Sequence, residues 1–453
     1  MSAMPTPLSW PGIARLGVVQ AMLGAVVVLT TSTLNRVMVV ELALPALLPG
    51  LLVALHYAVQ VSRPRMGFGS DLGSRRTPWI VGGMVVLALG GFGAAVATAW
   101  MATQPAAGIA LAVLSFMLVG LGVSAGGTSL LTLLAKRVDA PRRAAAAATV
   151  WIMMIVGFAV TAGIAGKMLD PYSPARLVAV SGAVSLLAVA ISMLALWRLE
   201  GHARAPVVEA KEAMTVARFR QALAEVWAEP EARRFTVFVF VSMLAYSAQD
   251  LILEPFAGVI FGFTPGESTQ LSGVQHGGTL AGMLLAALAG RRIAGAGFGS
   301  LRAWTVGGCI ASCLALAGLV IAGLGAAPHW PLRANVFALG AANGAFSIAA
   351  IGSMMALAAH GREAREGTRM GLWGAAQAIG FAGGGLIGTA ACDLARWWLG
   401  APGPAYALVF AGEALLFILS ARLAASIVTP ALASPAAGPT QAIVDPQPAQ
   451  EWR

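Results

Sequence analysis

The sequence predicts an all-α membrane protein whose chain crosses the bilayer twelve times, in two parallel halves of six helices each. Three observations predict this fold: the composition, the recurrence of long apolar segments and an internal repeat. Of the 453 residues, 58% are hydrophobic and only 11% are charged, whereas about 25% of a soluble domain is charged. Apolar segments long enough for the roughly 20 residues of a membrane-spanning helix recur along the whole chain.

Long apolar runs, interrupted by charged residues or by clusters of proline and glycine, mark the twelve predicted helices. They are placed at 13–34, 45–67, 78–100, 107–134, 145–168, 176–197, 234–254, 268–290, 302–324, 332–358, 370–391 and 404–426.

One long connection separates the halves. The predicted N-terminal half is 1–198, the linker is 199–233 and the C-terminal half is 234–426. Within the linker, residues 215–227 have the apolar spacing of an amphipathic helix that lies on a membrane surface. Residues 427–453 are rich in proline and alanine and predict a disordered tail.

The basic residues predict the orientation, because loops on the cytoplasmic side carry an excess of Lys and Arg. The loops after predicted helices 2, 4, 8 and 10 are rich in arginine. The opposite loops hold only Arg36, Lys167, Arg176, Arg333 and Arg396. Both termini and the linker are therefore predicted to be cytoplasmic. The net charge of +10 reflects this bias, and no nucleic-acid partner is expected.

The internal repeat lies in predicted helices 5 and 11. Trp151 aligns with Trp373, and Asp170 aligns with Asp393. A basic loop precedes each copy, and the copies stand half a chain apart. Two parallel six-helix halves are the architecture of the major facilitator superfamily, which this chain resembles.

The loop at 67–76, GFGSDLGSRR, resembles that superfamily's signature between helices 2 and 3. Asp71 is predicted to cap the start of helix 3 and to pair with a neighbouring arginine, Arg75 or Arg76. The glycines of the loop permit a tight turn.

Polar residues within the predicted spans are few, and each costs free energy to place there, which makes them candidates for function. Predicted helices 4 and 10 would line the central cavity, yet they contain no Asp, Glu, Lys, Arg or His at hydrocarbon depth. This disfavours an ordinary proton-coupled pump but not a facilitator. The sequence contains no phosphate loop, nucleophile elbow, metalloprotease motif or dinucleotide fingerprint, and an enzyme is not expected.

Polar and charged groups cluster at the outer ends of predicted helices 1 and 7. Helix 1 ends with Asn35, Arg36 and Glu41, and helix 7 ends with Asp250 and Glu254. The interpretation that the residues favour is a charge network, or outer clamp, that holds the two halves together. Direct contact with a ligand is the alternative.

Two histidines lie within spans: His56 in predicted helix 2 and His276 in predicted helix 8. A neutral imidazole is a good axial ligand for a metal held in a macrocycle. Gly277 and Gly278 would let a flat ring approach the backbone beside His276. The residues alone favour the alternative, a hydrogen bond across a helix interface.

One carboxylate, Glu413, lies halfway along predicted helix 12, an outer helix of this fold. A lone acid at that depth should face a neighbouring helix, a ligand or a partner, or else be protonated. Glu413 is therefore the candidate for a contact with a partner protein.

Long stretches around these candidates resemble the bacteriochlorophyll-delivery, or PucC-like, family. The segments that carry the resemblance are 31–55, 224–240, 242–268 and 271–283, and the likeness extends over most of the chain. It implies a non-enzymatic carrier and assembly factor in phototrophic bacteria. The implied location is the bacterial inner membrane, including its intracytoplasmic photosynthetic part, among membrane lipids.

The same resemblance implies that bacteriochlorophyll, or a late precursor, is bound and passed to light-harvesting antenna polypeptides or to bacteriochlorophyll synthase. If the ligand is a magnesium tetrapyrrole, two interpretations of the histidines are equally supported. His276 or His56 is an axial ligand of the magnesium, or the histidine forms an interhelical hydrogen bond. Gln60, Gln249 and Gln275 are weaker candidates for ligating or hydrogen-bonding the ring. No free metal ion is expected.

Two alternatives stay open. One is a secondary transporter of a small apolar or weakly polar solute, which the sparse polarity of the cavity disfavours. The other is a pigment-free adaptor for photosystem assembly, which the His-Gly-Gly of predicted helix 8 disfavours. The loop between helices 2 and 3 is shorter than in family members tied to specific antenna complexes, which suggests a link to pigment synthesis instead.

Overall fold

A computed structural model describes residues 8–60, 75–139, 142–200, 224–289, 299–360 and 366–427. Across these ranges the chain forms twelve main helices and no β-strand. The helices are α1 Trp10–Glu41, α2 Leu47–Val59, α3 Thr77–Met101, α4 Pro105–Arg137, α5 Arg143–Leu169, α6 Pro174–Leu196, α7 Pro230–Phe261, α8 Pro265–Ala289, α9 Leu301–Ile321, α10 Leu332–His360, α11 Glu366–Leu399 and α12 Pro402–Ser426.

Ten of these helices are long and apolar enough to cross a membrane, so the chain is a multi-pass membrane protein. The other two, α2 and α8, fall short for different reasons. The described part of α2 has only 13 residues. The 25 residues of α8 include several Ser, Thr and Gln side chains and a His, which lower its hydropathy. The predicted all-α polytopic fold is confirmed.

Local sequence signals explain where helices begin and end at the α7–α8 turn. Gly262 ends α7 in a left-handed conformation with φ of 70°, which glycine adopts without strain. At the start of α8, the Thr264 hydroxyl accepts from the Glu267 backbone N–H at 3.1 Å, and the Glu267 carboxylate accepts from the Thr264 backbone N–H at 3.0 Å. This reciprocal pair is a capping box.

Helix α7 continues through Pro255 to Phe261, beyond the predicted end at residue 254. A proline within a membrane helix is tolerated because neighbouring groups satisfy the backbone that it frees. The prediction was wrong because a proline was taken as the end of the helix.

Two helix pairs form the largest contacts between the halves: α5 packs on α8, and α2 packs on α11. Small residues allow the close approach, since a Cβ added at Gly166 of α5 would meet the Gly266 carbonyl oxygen of the turn into α8. A Cβ added at Gly50 of α2 would meet the Thr389 side chain of α11. The interface between halves therefore depends on glycine in both pairs.

The start of α3 is capped by Glu200, which follows α6 and returns to the same end of the bundle. Its carboxylate accepts from the backbone N–H groups of Arg76 at 2.7 Å and Thr77 at 2.8 Å. The cap predicted from Asp71 stays a prediction. Asp71 itself, and so its predicted pairing with Arg75 or Arg76, lies outside the described residues.

Most of the predicted amphipathic helix in the linker and nearly all of the predicted tail also lie outside the described residues. The orientation in the membrane stays a prediction. We use "predicted outer end" for the end of the bundle that holds the α1–α2 and α7–α8 turns.

Candidate functional site

Four polar side chains lie at the same distance along their helices in the C-terminal half. Asp250 of α7, His276 of α8, Asn343 of α10 and Glu413 of α12 each lie eleven residues from the predicted outer end of their helix. Eleven residues correspond to about 16 Å along a helix axis, which is about half of a bilayer core roughly 30 Å thick. We call these four residues the mid-depth layer.

His276 has a defined proton arrangement within this layer. Its Nδ1 lies 2.8 Å from the Ser272 carbonyl oxygen, one turn earlier in α8. Because a carbonyl oxygen only accepts hydrogen bonds, Nδ1 carries the hydrogen, and the neutral ring has its lone pair on Nε2. No residue of the described ranges forms a hydrogen bond with Nε2. A hydrogen bond from one ring nitrogen to a backbone carbonyl oxygen orients the ring of many metal-ligating histidines.

His56 lies in α2, the counterpart of α8 in the N-terminal half. It lies nine residues from the start of its helix, whereas His276 lies eleven residues from the start of α8. The Nε2 atom of His56 lies 2.9 Å from the Gln60 side-chain amide, one turn later. Leu280 takes the corresponding place after His276, four residues on. The structure thus joins the two candidates His56 and Gln60 to each other, and it leaves the equivalent nitrogen of His276 available.

The two glycines after His276 have different surroundings. A Cβ added at Gly277 would meet nothing within 4 Å, and the predicted approach of a flat ring there stays a prediction. A Cβ added at Gly278 would clash with the Phe337 carbonyl oxygen of α10. The prediction for Gly278 was therefore wrong, because this glycine permits close packing of α8 on α10.

An apolar cluster that sequence reasoning missed lies beside His276, at the seam between α5 and α8. The His276 ring meets Phe158 of α5 edge to face, with ring centroids 4.9 Å apart. Met154 of α5 and Met283 of α8 are the buried members of this cluster together with Ile155. Methionine side chains adapt readily to the shape of a neighbour. The adjacent methionines in WIMMIVGF could have indicated this cluster, but nothing in the sequence showed that they pack against α8.

Gln275 precedes His276 and donates a hydrogen bond from Nε2 to Asp250 Oδ1 at 3.1 Å. Asp250 therefore contacts α8 of its own half. This corrects its predicted place in the outer clamp, because Asp250 lies at mid-depth and not at the helix end. Gln249 is fully buried, and neither of its amide atoms has a hydrogen-bond partner within the described part of the chain.

Arg36 links the two halves at the predicted outer end. Its guanidinium donates to the Phe263 carbonyl oxygen of the C-terminal half at 2.6 Å and to Glu41 Oε1 of its own helix at 2.5 Å. Glu254 is buried within electrostatic range of Arg36. A Cβ added at Gly258 of α7 would press on the guanidinium, so glycine there lets α7 approach Arg36.

Two further polar contacts cross between the halves close to Arg36. Asn35 Nδ2 donates to the Leu251 carbonyl oxygen at 2.5 Å, and the hydroxyls of Thr33 and Thr269 lie 3.0 Å apart. Asn35 and Arg36 lie in a short α-helical stretch between two π-helical turns of α1. Such π-turns within helices are often found at functional sites.

A pair of aspartates, not predicted as part of the site, completes the outer clamp. Asp170 follows α5 and accepts from the Thr264 hydroxyl at 3.0 Å and from the Gly266 backbone N–H at 3.3 Å, at the start of α8. Asp393 of α11 accepts from the Leu47 backbone N–H at 2.7 Å, at the start of α2. The internal repeat aligned these two aspartates and was the signal that could have found them.

Glu413 is 3% exposed and points into the C-terminal half. This corrects the prediction of a partner contact, since the side chain does not reach the surface of the helix bundle. Within the described ranges neither carboxyl oxygen has a hydrogen-bond partner, and Asp250 is in electrostatic range.

Solved structures share the fold at low sequence identity. A D-xylose-proton symporter superposes with a TM-score of 0.69 at 14% identity, covering 92% of this chain and 98% of that one. The peptide transporter POT in complex with sulfate gives a TM-score of 0.69 at 12% identity, covering 94% and 96%. At these identities the likeness concerns the fold alone, which is the major facilitator fold.

Sequence comparison gives the family. The family described as "PUCC protein" matches residues 33–432. The "Bacteriochlorophyll synthase 44.5 kDa chain" of Rhodobacter capsulatus is 53% identical over 421 residues, covering 93% of this chain and 96% of that protein. "Protein PucC" of Rhodobacter capsulatus is 31% identical over 445 residues, covering 92% of each. Because the match spans most of the sequence, the chain belongs to the PUCC protein family.

Proposed function

We propose that this protein binds bacteriochlorophyll, or a late precursor, and delivers it to a partner in the photosynthetic membrane without catalysing a reaction. Membership of the PUCC protein family supports a role in this membrane. The printed name of the relative at 53% identity supports the pigment.

One observation carries the proposal: the Nδ1–H of His276 is held by the Ser272 carbonyl oxygen, which leaves the Nε2 lone pair available. The central magnesium of a bacteriochlorophyll takes an axial ligand, and a neutral imidazole nitrogen is suitable. His56 is the weaker candidate because Gln60 engages its Nε2. The open space at Gly277 and the methionine-containing cluster at the α5–α8 seam favour an apolar, flat ligand.

Access to His276 requires movement between the halves. The ring is 7% exposed and packs against Phe158, so a macrocycle reaches Nε2 only when α5 and α8 separate. The outer clamp formed by Arg36, Asp170 and Asp393 holds the predicted outer end together. We therefore propose that the seam opens towards the predicted cytoplasmic side or sideways to the lipid.

The proposed partner is the pigment-synthesis machinery, with bacteriochlorophyll synthase as the first candidate and antenna polypeptides as the second. Two observations support this order. The relative at 53% identity is named as a chain of bacteriochlorophyll synthase, and the proteins named PucC are only about 30% identical.

The experiment is pigment extraction and absorption spectroscopy of the full-length protein, purified in mild detergent from a phototrophic host. His276→Ala and His56→Ala form a matched pair, because the two histidines are buried in counterpart helices of the two halves. We expect wild type and His56→Ala to retain bacteriochlorophyll and His276→Ala to lose it. Size-exclusion elution and thermal unfolding establish that each variant is folded.

Two results contradict the proposal. Pigment retained by a folded His276→Ala protein moves the ligand elsewhere. A folded wild-type protein without pigment, even when partner proteins co-purify, removes the carrier function and leaves the adaptor and transporter alternatives.

A further inference from the structure

The burial of Glu413 presents an electrostatic problem. The side chain is 3% exposed at the middle of the membrane, and neither carboxyl oxygen has a hydrogen-bond donor among the described residues. Transfer of an unpaired carboxylate into an apolar medium is strongly unfavourable. An ionised Glu413 at this place needs a cation close by.

Among the described residues of α7 to α12, no basic side chain lies at this position along its helix. Every Lys or Arg in α7 to α12 lies within four residues of a helix end, whereas Glu413 lies eleven residues from the start of α12. The charged group within electrostatic range is another acid, Asp250 of α7. Two carboxylates at one depth, without a cation between them, repel each other.

The other titratable groups near the pair are also not cationic partners. They are Tyr246 on α7, within electrostatic range of Asp250, and Cys392 on α11, within electrostatic range of Glu413. Arg36 lies towards the predicted outer end beside Glu254, and Arg396 of α11 stacks on the Tyr406 ring. His276 donates a hydrogen bond from Nδ1 to the Ser272 carbonyl oxygen.

We propose that Asp250 and Glu413 form a proton-binding site at mid-depth in the C-terminal half, where the two carboxyl groups together hold at least one exchangeable proton. The proton neutralises one acid, and the remaining charge is stabilised at Asp250 by the hydrogen bond from Gln275. Glu413 is the acid that carries the proton, because it has no donor of its own.

Protonation of the two acids affects the contacts that position α8. Asp250 holds α8 through Gln275, the residue next to His276. Glu413 belongs to α12, which packs on α7 and α9. Loss of the proton places a second negative charge between α7 and α12 and therefore strains the contacts that position α8. Proton binding is thus linked to the arrangement of the helix that carries His276.

The test is infrared difference spectroscopy of the full-length protein in lipid nanodiscs, in H₂O and in D₂O. A protonated carboxyl group has a C=O stretching band above the amide region that shifts on deuteration. The variants are Glu413→Gln, which imitates the neutral acid, and Asp250→Asn. Asp139→Asn is the control, because Asp139 is exposed at the end of the bundle opposite the predicted outer end.

We expect the wild type and the Asp139→Asn control to show the deuteration-sensitive band at neutral pH, and Glu413→Gln to lose it. In Asp250→Asn the band should be lost at a lower pH than in the wild type, because the neighbouring negative charge that favours the protonated form of Glu413 is gone. Thermal stability of the wild type should fall as the pH rises, since the folded state binds a proton that the unfolded state releases; the same curve for Glu413→Gln should be flatter.

A wild-type spectrum without the band at neutral pH, or a band unchanged in both single variants and in the double variant, overturns the proposal. If Glu413→Gln does not fold, the pH dependence of the band in Asp250→Asn decides. None of these measurements needs pigment, so failure here leaves the proposed pigment site untouched, and loss of the pigment site leaves this proposal untouched.

Discussion

Asp170 and Asp393 occupy equivalent places in the two halves, and each binds the beginning of a helix in the opposite half. Asp170 accepts from Thr264 and Gly266 at the start of α8, and Asp393 accepts from Ala46 and Leu47 at the start of α2. The carboxylates satisfy backbone donors that a helix start leaves free, and their charge is favourable there. The pair therefore closes the predicted outer end with twofold pseudo-symmetry.

Replacing either aspartate with alanine should loosen the predicted outer end. Loss of a carboxylate that caps a helix costs about 0.5–2 kcal/mol, and the double variant should lose roughly the sum because the two contacts are separate. Thermal unfolding in detergent measures the loss, with Asp139→Ala as the exposed control. A double variant as stable as the control would show that the two caps do not hold the halves together.

Arg36 should be more sensitive than either aspartate. It is 2% exposed and bonded to both halves, and removing one partner of a buried ionic contact costs about 3–5 kcal/mol. We expect Arg36→Ala to be strongly destabilised in thermal unfolding. Arg36→Lys should be intermediate, because lysine keeps the charge but lacks the planar fork that reaches both acceptors. Equal stability of Arg36→Lys and wild type would contradict a role for the fork geometry.

The residues one turn after each histidine should decide which ring binds pigment, if the proposed function is correct. Leu280→Gln would place an amide beside His276 Nε2, in the way that Gln60 engages His56. Pigment content should fall in Leu280→Gln, while Gln60→Leu should keep it or gain a second site. Pigment extraction against protein concentration measures both. Unchanged pigment in a folded Leu280→Gln protein would argue against Nε2 of His276 as the ligand.

Two adjacent glycines in α8 offer a test that separates packing from binding. Gly278→Ala should destabilise the protein by about 1–3 kcal/mol, because the new methyl group meets the Phe337 backbone, which cannot move aside easily. Gly277→Ala meets nothing within 4 Å and should keep the thermal stability of the wild type. If a macrocycle uses that space, Gly277→Ala should nevertheless bind less pigment. Equal thermal stability of both variants would contradict the packing assigned to Gly278.

Much of the architecture could be predicted from the sequence because a bilayer imposes a simple rule. Each crossing needs a long apolar run. The repeat that aligns Trp151 with Trp373 indicates that the chain has two similar halves. Arg36, Asn35 and Glu41 were also placed at the junction of the halves, because a charged group at a helix end needs a partner nearby. The limits of this reasoning show at Pro255, where the predicted helix stopped and α7 continues.

The sequence by itself determined the class of protein, the number of helices, the repeat and the set of polar residues within the membrane. Only the tertiary structure decided which of them meet: that Gln60 engages His56 while His276 keeps a free nitrogen, that Asp250 turns to Gln275, and that Glu413 points inward. The physical reason is that hydropathy depends on each residue's own transfer free energy, whereas a hydrogen bond depends on the rotation and approach of separate helices. That approach is set by packing between residues far apart in the sequence.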